Sequence, residues 1–245
     1  MISVIEPKLI QTGVKAFFTQ KNEQFSPKES KINGLNLGFN TPDSKETVLN
    51  NRKQLFENYG INSDSVVFCN QVHGSNIVEV SNPGFIDSTD GLITNKKNLG
   101  LCILVADCAA ILFHDKETEY IGALHAGWRG TKGRILPNAL EMLKEKGSSL
   151  KKISFFISPC ISTAKFEVGN EVADEFPEEV VNRTDYEKPH IDIRKMLLMQ
   201  LEEFGIQNEQ IEVNLQCTFE DETNFYSYRR EGKQSGRLMA FIQLV

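Results

Sequence analysis

Two of the four histidines stand beside glycine at the ends of apolar runs, in Gln71-Val72-His73-Gly74 and Leu124-His125-Ala126-Gly127. Between them, Asp107-Cys108 interrupts the apolar stretch from Leu99 to Phe113. A polar pair there is costly to bury without partners, so it either satisfies itself or meets a ligand. Two imidazoles and a thiolate suit zinc, a borderline-soft ion that takes nitrogen and sulfur. Three protein ligands, His73, Cys108 and His125, would leave one position open, as in catalytic rather than structural sites. The same atoms allow a second chemistry, with the Cys108 thiolate as nucleophile and His125 as its base. A metal-bound thiolate has its lone pair committed, so the two chemistries nearly exclude each other. A third reading is plainer: two hydrogen-bonded strand-end histidines and a buried cysteine.

Gly127-Trp128-Arg129-Gly130-Thr131 reads as a strand-to-helix junction. The free amides of a helix start and the forked cation of Arg129 suit phosphate or carboxylate, although a solvated arginine at an ordinary helix start fits as well. Cys160, after Ser158-Pro159, is expected as a buried structural thiol. Arg229-Arg230 is expected as a solvated basic pair at a strand end, with an anion contact the alternative. His114 and His190 are placed at the surface.

The elements that must position these residues follow from periodicity. Pro42 to Glu46 has the form of a helix start, with Asp43 as N-cap and Glu46 completing a capping box. Val48, Leu49, Arg52, Leu55, Phe56 and Tyr59 then recur at helical spacing until Gly60. Strands are expected over 66–72, 76–80, 101–113 with a bend at 106–108, 120–125, 153–157, 211–215 and 238–245. Helices are expected on Ile135 to Leu143, over 171–176 and over 193–204. The first forty residues suggest loops and short strands at 16–18 and 35–39. Strands and helices mix without clean alternation, so the fold class is α+β rather than a doubly wound sheet, and one domain spans residues 1–245.

Composition narrows the class. With 27 Lys+Arg against 33 Asp+Glu the net charge is −6, which argues against nucleic-acid backbone binding. Leu99 to Ala106 ends at Asp107, far short of the ~20 apolar residues a membrane-spanning helix needs. The start, MISVIEPKLIQ, has no uninterrupted apolar core and does not read as a secretory signal. Five cysteines without such a signal point to a reducing, cytoplasmic setting.

The chain carries NLGF at 36–39, NR at 51–52, NQVHG at 70–74, DGLIT at 90–94, ADC at 106–108, HAGWRGT at 125–131, SPCI at 158–161, FEVG at 166–169 and CTFEDETNFYSYRREGKQSGR at 217–237. Together these strings resemble one family, the multicopper polyphenol oxidoreductase or laccase-domain proteins of the YfiH type. The resemblance runs in order over nearly the whole chain. It implies a layered mixed β-sandwich flanked by helices, grouped with the cytotoxic necrotizing factor deamidases. It also implies zinc on the histidine of QVH, the cysteine of ADC and the histidine of HAGWRG, which here are His73, Cys108 and His125. SPCI and Phe166 stand where many members have GPCI and tyrosine.

The resemblance implies phosphorolysis of purine nucleosides (adenosine, inosine, guanosine, methylthioadenosine), with adenosine deamination beside it. The partners would then be a nucleoside and phosphate. Deamination fits a zinc that activates water. Asp107 is the candidate proton shuttle by adjacency to Cys108. Phosphorolysis needs an anion pocket, for which Arg129 and Arg52 are candidates. Asn36 and Gln71 are candidate substrate contacts on motif resemblance alone. The family name implies copper oxidation, but four histidines are too few for a multicopper centre, and zinc has no redox chemistry. A zinc amidase editing a peptidoglycan precursor, a Cys-His hydrolase, and a non-enzymatic zinc-stabilised binding module are the alternatives. The last would need a fourth protein ligand, with Cys160 the candidate.

Overall fold

A computed structural model describes residues 1–10 and 12–245. Two six-stranded mixed sheets pack face to face. The first runs, in spatial order, Val4–Ile5, Val14–Thr19, Leu238–Leu244, Gly100–Val105, Val66–Cys69 and Gly84–Ile86. The second runs Ile211–Val213, Ile153–Ile157, Ala109–Asp115, Ile121–Ala126, Gly91–Thr94 and Ile77–Glu79. Alternate residues of both sheets, among them Phe18, Leu101, Ile103, Leu112, Ala123 and Phe156, meet in a buried layer between them.

Each outer face is covered by helix. Leu55 and Phe56 of the Lys45–Asn58 helix pack on Phe17, Phe68 and Phe241 of the first sheet. The Ile135–Glu145 and Ile193–Glu203 helices bury Leu136, Leu140, Leu197 and Leu201 against Phe113, Leu124 and Phe155 of the second. Each such side chain, fully buried, contributes about 1.5–3 kcal/mol. The expected α+β layered sandwich flanked by helices is the architecture found.

The bend at 106–108 is where the chain changes sheet. Gly100–Val105 pairs antiparallel with the last strand, Leu238 opposite Val105, in the first sheet. Ala109–Asp115 pairs with Ile121–Ala126 in the second, Ala109 opposite Ala126. Asp107 makes this corner at φ +85°, a region that Asp tolerates better than most side chains.

Several local expectations are corrected. Ser44, not Asp43, caps the first helix, its hydroxyl accepting from the Thr47 N–H at 3.0 Å. Asp43 is instead drawn away to accept from Ser30, the Lys31 and Ile32 N–H groups and Asn36. Residues 35–39 form no strand, and Gly91–Thr94 is a strand the sequence reading missed. His114 and His190 are buried, not superficial. His114 lies in the Ala109–Asp115 strand, while His190 bonds the Thr163 carbonyl and stacks on Tyr186. Arg229 and Arg230 sit in a short helix, Tyr228–Glu231, and Arg230 donates to the Thr218, Phe219 and Phe225 carbonyls.

Candidate active site

His73, Cys108 and His125 converge at the end of the sandwich where strands leave both sheets. His73 lies in the loop after Val66–Cys69, Cys108 at the corner between the sheets, and His125 near the end of Ile121–Ala126. One ligand atom from each lies within 4.8 Å of the others. Those three residues are the only group of that kind among the described residues; Cys160 is not part of it. The imidazoles meet edge to face at 4.7 Å between centroids. His73 is held at φ +60°, so two of the three ligand-bearing segments turn through left-handed backbone, with Asp107 the other.

The space between these atoms is kept open by Gly127. A Cβ there would stand 3.0 Å from Cys108 Sγ, 3.3 Å from His73 Nδ1 and 3.5 Å from His125 Nε2. Its own backbone, φ −73° and ψ 171°, suits any residue, so glycine is demanded by room and not by conformation. A cradle bordered by two imidazole nitrogens and a sulfur fits a borderline-soft divalent cation with one side left free.

Asp90, fully buried, organises the cluster. Its Oδ1 accepts from His125 Nδ1 at 2.7 Å, leaving Nε2 turned to the cradle. The same carboxylate accepts the N–H groups of Val72 (3.1 Å), His73 (3.0 Å) and Gly74 (2.7 Å), and its carbonyl accepts from the His125 N–H at 2.7 Å. Burial would raise its pKa, yet the His125 and backbone hydrogen bonds bring it below the usual carboxylate range. Burial would also raise the Cys108 thiol, but the charge and hydrogen bonds of His125 and His73 outweigh it and bring it down to about 6. His125, which burial would lower, is lifted to about 9 by Cys108 and Asp90. Thiolate and imidazolium stabilise each other, and a bound cation would take the place of the proton on Nε2.

The cluster forms the floor of a cavity of about 650 Å³, large enough for a nucleoside-sized ligand. Phe39, Phe85, Phe166 and Tyr228 supply aromatic wall, and Arg52, Arg229 and Arg237 supply positive charge. Phe166, the residue of the FEVG string, thus lies in the wall. The serine of SPCI is accommodated in full burial, its hydroxyl accepting the Ala110 N–H at 2.9 Å.

The remaining expected site residues fall in different places. Arg52 lines the cavity, its guanidinium clasped between the Phe39 and Phe68 rings at 4.1 and 4.0 Å. Asp107 also borders it, but its carboxylate is engaged by Thr218 Oγ1 (2.7 Å), Ser227 Oγ (3.0 Å) and the Arg229 N–H (2.7 Å). Gln71 reaches the wall, yet its amide both donates to and accepts from the Leu104 backbone, continuing the strand pairing. Asn36 is fully buried and spends its amide on Gly38, Thr41, Asp43 and the Arg237 N–H. Arg129 is exposed, stacked over Trp128 at 4.2 Å, and is not among the cavity-lining residues.

Asp90 and Arg237 belong to the site without being candidates of the sequence reading, which takes Gly127 only as part of a helix start and Arg229 as half of a solvated basic pair. Each was visible inside a motif (DGLIT, HAGWRG, YRREG and SGR), but only as part of a string. Cys160 is buried beside Cys217, its thiol pushed up to about 12 by burial, as expected of a structural cysteine. No helix among the described residues is long and apolar enough to cross a membrane.

Residues 15–245 match the family described as multi-copper polyphenol oxidoreductase laccase. The chain is 31% identical over 246 residues to a Bacillus subtilis protein named purine nucleoside phosphorylase YlmD, covering 94% of this chain and 88% of that one. It is 36% identical over 216 residues to a Deinococcus radiodurans protein named purine nucleoside phosphorylase, covering 86% and 82%. Among solved structures, Bacillus licheniformis YfiH superimposes with a TM-score of 0.88 at 30% identity over 95% of this chain and 93% of that one. Geobacillus stearothermophilus YlmD also gives 0.88, at 29% identity over 95% and 92%.

Proposed function

Since the chain belongs to the multi-copper polyphenol oxidoreductase laccase family, whose relatives above are named purine nucleoside phosphorylases, we propose that it is a zinc-dependent purine nucleoside phosphorylase with adenosine deamination as an accompanying activity. The observation that carries the reading is the open His73–Cys108–His125 cradle at the floor of an aromatic, arginine-lined cavity. Zinc, when bound there, supplies Lewis-acid polarisation without redox chemistry. His73, Cys108 and His125 would hold it, with Asp90 fixing the His125 tautomer. The aromatic wall gives a purine flat surface against which to stack. Arg52, buried and without a carboxylate partner among the described residues, gives phosphate a cation in a site shielded from water. The five cysteines are all free thiols, which favours the reducing cytoplasm as its setting.

The test is purine release from inosine and adenosine by zinc-loaded protein, followed by chromatography with and without phosphate. Phosphate-dependent release that disappears in Cys108→Ala and His125→Ala is expected. Release that ignores phosphate would mean hydrolysis. A second reading rests on the lowered Cys108 thiol beside His125: a Cys-His hydrolase would keep turning over an amide substrate after the metal is chelated.

A further inference from the structure

We propose that Arg237 and Arg52 together form the oxyanion subsite of this cavity, built to hold inorganic phosphate. The assignment deepens the phosphorylase reading and rests on it for the identity of the anion. Both arginines line the cavity, and among the described residues neither has a carboxylate partner. Arg52 is 6% exposed, a cation taken out of water with no ion-pair partner among the described residues. Such a group is costly unless something anionic completes it.

The two side chains are fixed through one peptide segment. The Leu37 carbonyl accepts from Arg52 Nε at 2.8 Å, while the Leu37 N–H donates to the Arg237 carbonyl at 3.1 Å. Asn36 Oδ1 accepts the Arg237 N–H at 2.9 Å. Gly38 completes the arrangement, since a Cβ there would collide with the Arg237 Cγ. The Asn36-Leu37-Gly38 segment thus sets both cations toward one space.

What each arginine leaves unused distinguishes this pair from the others. Among the described residues Arg52 spends only Nε, which leaves both terminal nitrogens for a ligand. Arg237 spends Nη1 on the Ser235 and Gly236 carbonyls, at 2.8 and 2.9 Å, and keeps Nε and Nη2. Arg229 spends both terminal nitrogens on the Lys165 and Glu167 carbonyls. Two pre-oriented forks match the several oxygens of a tetrahedral oxyanion better than one point charge does.

The experiment is thermal denaturation of the metal-loaded protein across a series of inorganic phosphate concentrations, beside the base-release assay. Ligand that binds the folded state raises the Tm as it saturates its site. Arg237→Gln should shift the half-saturating phosphate upward about tenfold or more, the loss expected of a charge-assisted hydrogen bond. Gly38→Ala should move it the same way with every charge retained, and Arg237→Lys should recover only part. Arg134→Ala, which removes a surface cation paired with Glu203, should leave it unchanged. A wild-type phosphate response in both Arg237→Gln and Gly38→Ala would overturn the assignment, as would no response in the wild-type protein. Phosphate binding lost in these variants, in a protein that releases no purine, would uphold the subsite and sink the phosphorylase reading.

Discussion

The Asp90 carboxylate binds the His125 ring at 2.7 Å and, with its remaining capacity, the backbone of the loop that carries His73. One buried side chain therefore sets two of the three cluster residues. His73 follows a strand of the first sheet and His125 belongs to the second, so Asp90 ties the two layers together where the cavity opens. Partners of this kind fix the tautomer and orientation of a ligating histidine.

Asp90→Ala should weaken zinc binding about 10- to 100-fold, read by competition with a chromophoric chelator. Asp90→Asn keeps an acceptor without the charge and should fall between. Zinc affinity unchanged in Asp90→Ala would show that His125 orients itself.

Gly127→Ala should lose metal while keeping the fold. Its φ and ψ suit alanine, but the new methyl would occupy the cradle within 3.5 Å of all three ligand atoms. Elemental analysis after dialysis should give far less zinc per chain than wild type, with an unchanged circular dichroism spectrum. A full complement of zinc would place the metal elsewhere.

In chelator-treated protein Cys108 should alkylate with a midpoint near pH 6, because its thiolate forms above that value and the protonated thiol below it is unreactive. Cys69 and Cys160, buried and each pushed up to about 12, should stay unlabelled. Zinc should protect Cys108 at every pH. Mass spectrometry of peptides labelled with iodoacetamide across a pH series reads all three outcomes.

Asp107→Asn separates a proton shuttle from a structural acceptor. Both carboxylate oxygens receive donors from Thr218, Ser227 and Arg229, and an amide would point N–H at N–H or O–H. We expect a loss of about 1–3 kcal/mol in unfolding free energy, measured in urea with the slope unchanged. Full stability with abolished turnover would restore the shuttle role.

Sequence periodicity sufficed for elements whose signal is local. The Ile135–Glu145 and Ile193–Glu203 helices, the Ile153–Ile157 strand and the break at Asp107 all follow from neighbours a few residues away. Asp43 does not cap the helix because its competing partners, at residues 30 to 36, are brought to it by a loop that periodicity does not describe. His114 and His190 sit in polar surroundings in the sequence, yet strand pairing and a stacked tyrosine bury them.

The same division runs through the site. The identity of the three candidate ligands was determined by residue type, because few side chains bind a borderline-soft cation, the two histidines stood at strand ends beside glycine and Cys108 broke an apolar run. Their convergence was decided only by two sheets meeting at the Asp107 corner. So were the tie from Asp90 to both, the room left by Gly127 and the choice of Arg52 and Arg237 over Arg129 as the cations facing the cavity. The physical reason is range: periodicity and capping act over one or two turns of chain, whereas a cavity and its charge balance are made by groups that only packing brings within a hydrogen bond of one another.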